Sequence, residues 1–383
     1  MTLVVTQAPA REIPLSRPSI TEAERAAVAR AMESPVLSIG PELAAFETAL
    51  AGCAGTRHAV GTNSGTSALH LAMMVLGIGP GDEVITTPFS FVASANCVLF
   101  VGATPVFADI DPTTLSLDPH AVERKITSRT KAILAVDVFG HPAHWDALRR
   151  LADDHKLYLV EDSAESIGAC YRGRPAGGLG DIGVFAFYPN KQITTGEGGA
   201  LLTDHDGWSE AARSLRNQGR GAGSGWLAHQ TLGFNYRLSE LHSALGRAQL
   251  ARIDEILQAR ANVAETYNDL LADVAEVETP SVSPEVDMSW FVYVVKLTRG
   301  FSLEKRDRIL DYLKSRRIGC SNYFPCIHLE PFYRERLGHQ RGDFPIAESI
   351  SDRSIALPFF SELQDEDIQR VVFHLKQAIS ESA

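Results

Sequence analysis

The chain has 383 residues, of which 45% are hydrophobic and 22% charged, and its formal net charge is −11. This acidic balance argues against a broad surface for nucleic acid or anionic lipid, although a local pocket can still bind an anionic small molecule. The length exceeds what one simple core accommodates, so it predicts two domains.

The five cysteines are scattered and include no Cys-x-x-Cys pair, which predicts reduced thiols in a cytoplasmic protein. The first 14 residues lack the pattern of a signal peptide. No apolar run approaches the roughly 20 residues that span a bilayer. The sequence therefore predicts no association with membranes.

The predicted elements begin with a helix that starts at the capping box Thr21-Glu22-Ala23-Glu24 and ends near Glu33, before Pro35. From about residue 60 to residue 205, short apolar runs alternate with helical patterns. The predicted strands are 83–87, 105–109, 132–138, 157–162, 183–188 and 200–203, and one intervening helix is 145–155. This alternation predicts a mainly parallel sheet with helices on both faces.

A glycine-rich loop is predicted at residues 219–225, and a single long helix at 239–274 is interpreted as the bridge into a second domain. That domain is predicted to contain a strand at 291–297 and helices at 303–317 and 365–379. The predicted division is an N-terminal arm at residues 1–20, a large domain at 21–245 and a small C-terminal domain at 246–383.

The most informative residue is Lys191, which lies between the strand 183–188 and the glycine-rich turn 196–199. Most lysines are solvated surface residues. Here, however, the lysine follows a predicted strand, and ligands of such sheets gather at the carboxyl ends of strands. The small residues after it leave room for a planar partner, so Lys191 is a candidate for imine formation with an aldehyde cofactor.

Asp162 ends the predicted strand 157–162 and is followed by the small residues Ser163 and Ala164. A buried carboxylate keeps a pyridine nitrogen protonated, as the chemistry of pyridoxal phosphate (PLP) requires. An aspartate after a strand is equally typical of a helix N-cap. Lys191 and Asp162 at two strand ends of one sheet together indicate PLP.

The segment 62–67 precedes a helical pattern and offers backbone and hydroxyl donors to a phosphate around Gly65. Taken alone, an ordinary capped helix is the commoner explanation. Phe91 is a candidate to stack on the ring, against the alternative of a core aromatic.

Two other motifs are rejected. The Gly-x-Gly-x-x-Gly at residues 178–183 leads into a strand, whereas a dinucleotide fingerprint opens a helix. His141 and His144 have no evident third ligand, and no metal site is predicted.

In order and spacing, several segments resemble the DegT-type family of PLP-dependent sugar aminotransferases. They are residues 63–66, 161–165, 180–185, 191–199, 233–237 and 323–329. The resemblance runs from about Ile13 to the end. It implies the PLP fold-type-I aminotransferase class: an α/β fold with a mainly parallel, seven-stranded type of sheet sandwiched by helices, plus a smaller α+β C-terminal domain. It also implies a homodimer with shared active sites.

The resemblance also implies roles for individual residues. Lys191 would be the catalytic Schiff-base lysine, Asp162 the partner of the pyridinium, and Asn235 a group that reaches the phosphate of the other subunit's cofactor. Glu165 takes the position near the ring hydroxyl that is often Gln or His. The full set of implied cofactor-binding residues is Ser64, Gly65, Thr66, Phe91, Asp162, Glu165, Lys191 and Asn235. One departure is Ala186, where many members have a phosphate-binding serine.

The implied reaction transfers the amino group of L-glutamate to a nucleotide-linked keto-sugar, most often a 4-keto-6-deoxyhexose, in amino-sugar biosynthesis. The candidate substrate contacts are Tyr323 and His328 from the resemblance, and Arg237, Arg220 and Arg216 as cations for a diphosphate. Two alternatives stay open: an aminotransferase for a cyclitol or another keto substrate, and a PLP-binding regulatory protein without turnover. Retention of Lys191 argues against the family's dehydratases, which have histidine there.

Overall fold

The protein is described here by a computed structural model that covers residues 11–221 and 227–382. Within these ranges the helices are α1 (Glu22–Met32), α2 (Pro41–Ala54), α3 (Gly65–Val75), α4 (Ala93–Phe100), α5 (Pro119–Glu123), α6 (Trp145–His155), α7 (Asp206–Arg216), α8 (Glu240–Leu250), α9 (Ile253–Leu271), α10 (Leu303–Ser315), α11 (Pro331–Leu337), α12 (Pro345–Arg353) and α13 (Asp365–Ser382). The strands are β1 (His58–Thr62), β2 (Glu83–Thr86), β3 (Thr104–Phe107), β4 (Thr130–Val136), β5 (Tyr158–Asp162), β6 (Cys170–Tyr171), β7 (Arg174–Pro175), β8 (Ile182–Ala186), β9 (Gly199–Thr203), β10 (Val277–Glu278), β11 (Val286–Asp287), β12 (Tyr293–Leu297) and β13 (Ser354–Leu357).

The central sheet has seven strands in the order β1-β9-β8-β5-β4-β2-β3. β9 pairs antiparallel with both β1 and β8, and the other neighbours pair in parallel. All strands except β9 therefore run in one direction, and their carboxyl ends meet at one edge. The mainly parallel sheet of the fold-type-I class, predicted from the sequence, is confirmed, whereas the strand β1 was not predicted.

The central sheet is buried on both faces. Along β4, Leu134 and Val136 join one apolar cluster, while Ile133 and Ala135 join another. Successive side chains of a strand point to opposite faces, so an unbroken apolar run marks a strand covered on both sides. The helices supply that cover, and the polar groups gather at the strand ends.

A second, antiparallel sheet of three strands has the order β10-β12-β13 and lies in the C-terminal part of the chain. Its core includes Tyr293, Val295 and Leu357, together with residues from α9, α10 and α13. The boundary predicted at residue 245 falls inside α8, which packs on α1 and α2. The division into domains otherwise stays a prediction.

The single long helix predicted at 239–274 is wrong, because α8 ends at Leu250 and α9 begins at Ile253. The break lies where the N-terminal helix docks. The Gln249 side chain donates to Glu24 Oε1 (2.9 Å), and Arg252 Nη1 donates to the same oxygen (2.6 Å). These contacts join residues more than 200 positions apart, so local periodicity does not reveal them. The capping box of α1 at Thr21 is confirmed.

Residues 222–225 of the glycine-rich loop predicted at 219–225 lie outside the described residues. Across the helices that the structure does describe, none combines the length and the apolar character needed to cross a bilayer.

Candidate active site

A cavity of about 720 Å³ opens at the edge of the central sheet where the parallel strands end. Its walls come from the strand ends of the large sheet and from residues 321–325 of the C-terminal part. The lining residues used below are Ser64, Gly65, Thr66, Phe91, Asp162, Glu165, Ala186, Tyr188, Asn190, Lys191, Glu197, Phe291, Asn322 and Tyr323. The structure therefore brings together eight of the site residues predicted from the sequence: Ser64, Gly65, Thr66, Phe91, Asp162, Glu165, Lys191 and Tyr323.

Lys191 extends from the loop between β8 and β9 into this cavity. Its side chain is 12% exposed, and its Nζ lies 3.5 Å from Glu165 Oε1 and 4.0 Å from the centre of the Phe291 ring. The loop is held in shape by hydrogen bonds from the Lys191 N–H to the Tyr188 carbonyl and from Thr194 Oγ1 to the Phe187 carbonyl. The amine is thus enclosed but can still be reached from the cavity.

Phe291 reaches the lysine because residues 289–291 are attached to a turn of the large sheet. The Ser289 N–H donates to the Gly140 carbonyl at 3.1 Å. Gly140 has a φ of +94°, and a Cβ there would lie 1.7 Å from the Ser289 carbonyl oxygen. A residue with a side chain at position 140 would therefore prevent this close approach.

Asp162 lies at the end of β5, with both carboxyl oxygens oriented by hydrogen bonds. Oδ2 accepts from Ser94 Oγ at 2.7 Å, and Oδ1 accepts from the Ala164 N–H at 3.2 Å. Burial raises the pKa of this carboxyl, while the two hydrogen bonds and the positive charge of Lys191 oppose the rise. A carboxyl in this setting is a suitable partner for a cationic ring nitrogen.

Glu165 is the second buried carboxyl of the cavity. Its Oε2 accepts from the Phe139 N–H at 2.9 Å, and Oε1 faces Lys191. Burial raises the pKa of Glu165. The charge of Lys191 and the hydrogen bond from Phe139 lower this pKa, and the charge of Asp162 raises it again. The structure thus places a second carboxyl directly beside the lysine.

The N-terminus of α3 forms the part of the cavity suited to a phosphate. Ser64 caps the helix and accepts from the Ser67 N–H at 3.1 Å. Gly65 and Thr66 are the first two helical residues, whose N–H groups have no intrahelical acceptor. A Cβ on Gly65 would lie 2.6 Å from the Ala186 Cβ, so glycine lets the helix end approach β8 closely. These free donors at the positive end of a helix fit a phosphate group.

The predicted ring-stacking residue Phe91 is 61% exposed and lines the cavity. An apolar ring with this exposure does not act as a core aromatic, which was the alternative reading. Tyr323 also lines the cavity, and burial raises the pKa of its hydroxyl.

Asn235, Arg237 and Arg220 do not line the cavity. Asn235 is exposed, and its carbonyl accepts from Asn63 Nδ2 at 3.4 Å, one residue before the helix cap Ser64. Arg237 forms a β-bridge with Thr62, and its Nη1 donates to Asn217 Oδ1 at 3.2 Å. Asn235 and Arg237 therefore lie beside residues 62 and 63, next to the N-terminus of α3.

His328 and Arg216 are enclosed, so the geometry gives no support to their predicted contacts with substrate. His328 is fully buried, with Nε2 2.9 Å from Glu348 Oε1, and burial lowers the pKa of the imidazole. Arg216 is buried, pairs with Glu47 at 2.5 Å and donates to the Gly61 carbonyl at 2.6 Å. Both side chains already have structural partners.

Four cavity residues were not predicted from the sequence, namely Asn190, Glu197, Phe291 and Asn322, and neither was Ser94, which donates to Asp162. The position of Asn190, directly before Lys191, is a feature of the sequence that could have identified it as a cavity residue. Ser94, Phe291 and Asn322 come from distant parts of the chain, and no local pattern distinguishes them. Among the described lining residues, Lys191 is the one cation, beside three carboxyl groups: Asp162, Glu165 and Glu197. No group of three potential metal ligands occurs in the described ranges.

A seven-stranded sheet of this order, with a lysine and an aspartate at its carboxyl edge, defines a fold-type-I aminotransferase. The model of the DegT/DnrJ/EryC1/StrS aminotransferase family matches residues 18–376. The chain therefore belongs to that family.

Individual relatives cover nearly the whole chain. The GDP-perosamine synthase of Caulobacter vibrioides is 38% identical, over 96% of this chain and 98% of that protein. The dTDP-3-amino-3,4,6-trideoxy-alpha-D-glucose transaminase of Streptomyces venezuelae is 39% identical, over 91% and 89%. Among solved structures, the PLP form of Spr1654 from Streptococcus pneumoniae superposes with a TM-score of 0.93 at 28% identity, covering 97% and 100%.

Proposed function

We propose that this protein is a PLP-dependent aminotransferase that transfers the amino group of L-glutamate to a nucleotide-linked keto-sugar, as a homodimer in the cytoplasm. The observation that carries the proposal is the meeting of Lys191, Asp162 and the N-terminus of α3 around one cavity. When bound, PLP supplies an electron sink for the carbanion that forms next to the amino nitrogen.

The chain's own residues divide the work of holding the cofactor. Lys191 Nζ is the point of covalent attachment, and Asp162 holds the ring nitrogen in its charged form. The N–H groups of Gly65 and Thr66, with Ser64, bind the phosphate at the positive helix end. Phe91 covers one face of the ring. Because this chain has Ala186 where the family resemblance implies a phosphate-binding serine, these donors would hold the phosphate without a side-chain contact from position 186.

Lys191 has a second task after an amino substrate displaces it. Its Nζ, then a free amine, would accept the proton that leaves the substrate's α-carbon and hold it for return on the other side of the imine nitrogen. Glu165 Oε1, 3.5 Å away, stays close enough to orient the amine during this transfer. Burial of the amine against Phe291 keeps water from competing for the proton.

The substrate class rests on the relatives and on the size of the cavity. Both enzymes named above have nucleotide-linked amino sugars in their names. A cavity of about 720 Å³ has room for a cofactor and a sugar ring. By the family resemblance, the acceptor is a 4-keto-6-deoxyhexose. The nucleotide would lie outside the described cavity, towards its open side.

The homodimer is proposed from the charges of the cavity. The cofactor phosphate, the glutamate carboxylates and a diphosphate all require cations, yet three of the four charged lining residues in the described chain are acidic. A second subunit would supply the missing groups, including Asn235 and cations such as Arg237. The exposed apolar side chains Leu227 and Leu232, at 73% and 84% exposure, lie on the segment leading to Asn235 and suit such an interface.

The decisive experiment reconstitutes the wild-type protein with PLP, reduces it with borohydride and maps the mass adduct. We expect the adduct on Lys191, a spectral change when L-glutamate is added, and reversal of that change by a keto-sugar nucleotide. Lys191→Ala should bind the cofactor only non-covalently and lose turnover, while the exposed Lys376→Ala serves as the matched control. An adduct at another lysine, or turnover by Lys191→Ala, would refute the assignment.

The same spectral assay separates the alternatives. A cyclitol aminotransferase would respond to keto-inositols and not to keto-sugar nucleotides. A regulatory protein would carry the chromophore and show no response to any amino donor.

A further inference from the structure

We propose that Asn190 and Asn322 are specificity-determining residues that bind hydroxyl groups of the acceptor's sugar ring. This inference rests on the proposed aminotransferase function and assigns one wall of the cavity to the acceptor. It concerns two side chains to which neither the family resemblance nor the mechanism proposed above assigns a role.

The two asparagines reach the cavity from the two sheets. Asn190 precedes Lys191 in the loop that follows β8 of the central sheet. Asn322 follows Ser321, whose backbone forms a bridge to Ala356 of β13, with the Ala356 N–H donating to the Ser321 carbonyl at 2.8 Å. A ligand that contacts both amides is therefore held between the large and the small sheet.

Both side chains have a buried polar atom without a partner. The Oδ1 atoms of Asn190 and Asn322 are inaccessible to solvent, and neither has a hydrogen-bond partner within the described part of the chain. Leaving a buried amide oxygen unpaired costs free energy comparable with a lost hydrogen bond, and folded proteins rarely do so. Two such atoms in the walls of one cavity indicate that a ligand completes their hydrogen bonds.

The chemistry of the wall selects a ligand rich in hydroxyl groups. An amide oxygen accepts and an amide nitrogen donates, so each asparagine matches a hydroxyl in either orientation. Phosphates and carboxylates offer acceptors alone at neutral pH, and the neighbouring carboxyl groups of Glu165 and Glu197 disfavour further anions. The Tyr323 hydroxyl forms a hydrogen bond with the Asn190 amide. Burial raises the pKa of this hydroxyl, and the hydrogen bond lowers it. This neutral wall suits the sugar ring, and not the diphosphate.

The two half-reactions provide the test. In Asn190→Ala and Asn322→Ala, we expect the half-reaction with L-glutamate to keep its rate within about twofold, while kcat/KM for the keto-sugar nucleotide falls about tenfold in each variant. The exposed Asn262 on α9, paired with Gln258, gives the control variant Asn262→Ala, in which neither half-reaction changes. Deoxy analogues of the acceptor would identify the hydroxyl that is bound. For an analogue that lacks it, kcat/KM should differ little between the wild type and the variant.

A second measurement needs no substrate. Because the Asn322 amide oxygen is unpaired in the free protein, Asn322→Ala should leave the melting temperature of the cofactor-free variant unchanged or higher, whereas Asn190→Ala also loses the hydrogen bond with Tyr323 and is tested by kinetics alone. A clearly lower melting temperature would show a structural partner for the amide and overturn the inference. Equal loss in both half-reactions, or unchanged kinetics with the keto-sugar nucleotide, would do the same while leaving the proposed function intact. If the wild type itself fails to aminate any keto-sugar nucleotide, the proposed function fails, whatever the variants do.

Discussion

The protein buries two pairs of carboxyl groups, Glu161 with Asp137 and Asp162 with Glu165, and the surroundings of the two pairs differ. Glu161 and Asp162 are adjacent residues of β5. Glu161 and Asp162 point to opposite faces of the sheet, since side chains alternate along a strand. The Glu161 carboxylate accepts from the N–H groups of Gly177 (2.6 Å), Leu179 (2.7 Å) and Gly180 (3.2 Å). The glycine-rich motif that resembles a dinucleotide fingerprint thus binds a carboxylate of the protein itself.

The neighbour of Glu161 is Asp137, which is equally enclosed. Its Oδ1 accepts from the Ala143 N–H and from Trp145 Nε1, and its Oδ2 accepts from Ser166 Oγ. Burial and the charge of Glu161 raise the pKa of Asp137 well above its ordinary range. Every oxygen of this pair has a protein donor, and neither residue lines the cavity that contains Lys191.

The pair of Asp162 and Glu165 is buried to the same degree, yet it faces open space and an amine. Burial raises the pKa of both carboxyl groups, just as it does for Asp137 and Glu161. A raised pKa alone therefore does not identify the active site in this protein. What distinguishes the functional pair is a cavity beside it and a lysine within reach.

The largest expected effect is on the activity of Asp162→Asn. Loss of the negative charge that holds the ring nitrogen should lower kcat/KM by at least about a hundredfold. The cofactor-free variant should fold as well as the wild type, because it no longer buries an ionisable group. Steady-state kinetics together with thermal melting would check both parts. Full activity would show that the two pairs are both structural.

The opposite outcome is expected for Glu161→Gln. An amide nitrogen would then face a backbone N–H donor, so the variant should lose about 2–4 kcal/mol of unfolding free energy. Its activity per folded molecule should stay within a few-fold of the wild type. Denaturant unfolding of the cofactor-free protein measures the loss, with the exposed Glu210→Gln as a control. A variant of wild-type stability would contradict the structural role of Glu161.

The pH dependence of stability offers a finer comparison. The folded protein holds the proton of Asp162 more tightly than the unfolded chain does, because its pKa is raised above 3.8. This group therefore favours folding most at a pH below that value, and the contribution is lost as the pH rises through the raised pKa. The stability of Asp162→Asn relative to wild type should thus increase as the pH rises from about 4. Denaturant melts across that range would show it, and a constant difference would refute it.

The smallest effects are expected for the two serines that donate to these pairs. Ser166→Ala removes a donor to Asp137 and should cost about 0.5–1.5 kcal/mol of stability without changing kinetics. Ser94→Ala removes a donor to Asp162 and should lower kcat/KM by roughly three- to tenfold. If Ser94→Ala lowered stability but left kcat/KM unchanged, as expected for Ser166→Ala, this predicted difference between the two carboxyl pairs would be refuted.

The sequence predicts the parts of this protein that depend on local patterns. The alternation of apolar strands and helices, the capping box at Thr21 and the positions of Asp162 and Lys191 at strand ends are all local features, and the structure has them. The sheet order then brings the strand ends together, as parallel connectivity requires.

What the sequence does not predict depends on contacts between distant segments. At the break between α8 and α9, Arg252 contacts Glu24, and β1 extends the central sheet by pairing with β9. Ser94 donates to a carboxyl 68 residues further along. For His328 and Arg216, the residue type suggested a contact with substrate, and the structure shows a partner that the sequence did not reveal: each side chain pairs with a buried carboxylate.

The attachment of Ser289 to the turn at Gly140 limits where the molecule can bend. Phe291 lies against the lysine, and its N–H is directed at the Phe139 carbonyl at 3.5 Å, so this stretch moves with the large sheet. A hinge between the two sheets would therefore have to lie after Phe291, at the start of β12. The facing rim at residues 321–325 is fastened to the large sheet as well, since the Ile327 N–H donates to the Pro88 carbonyl at 2.8 Å and the Phe324 ring stacks on Phe139. The amine therefore keeps its aromatic neighbour in any hinge motion, and the rim opposite can open only if these two contacts break.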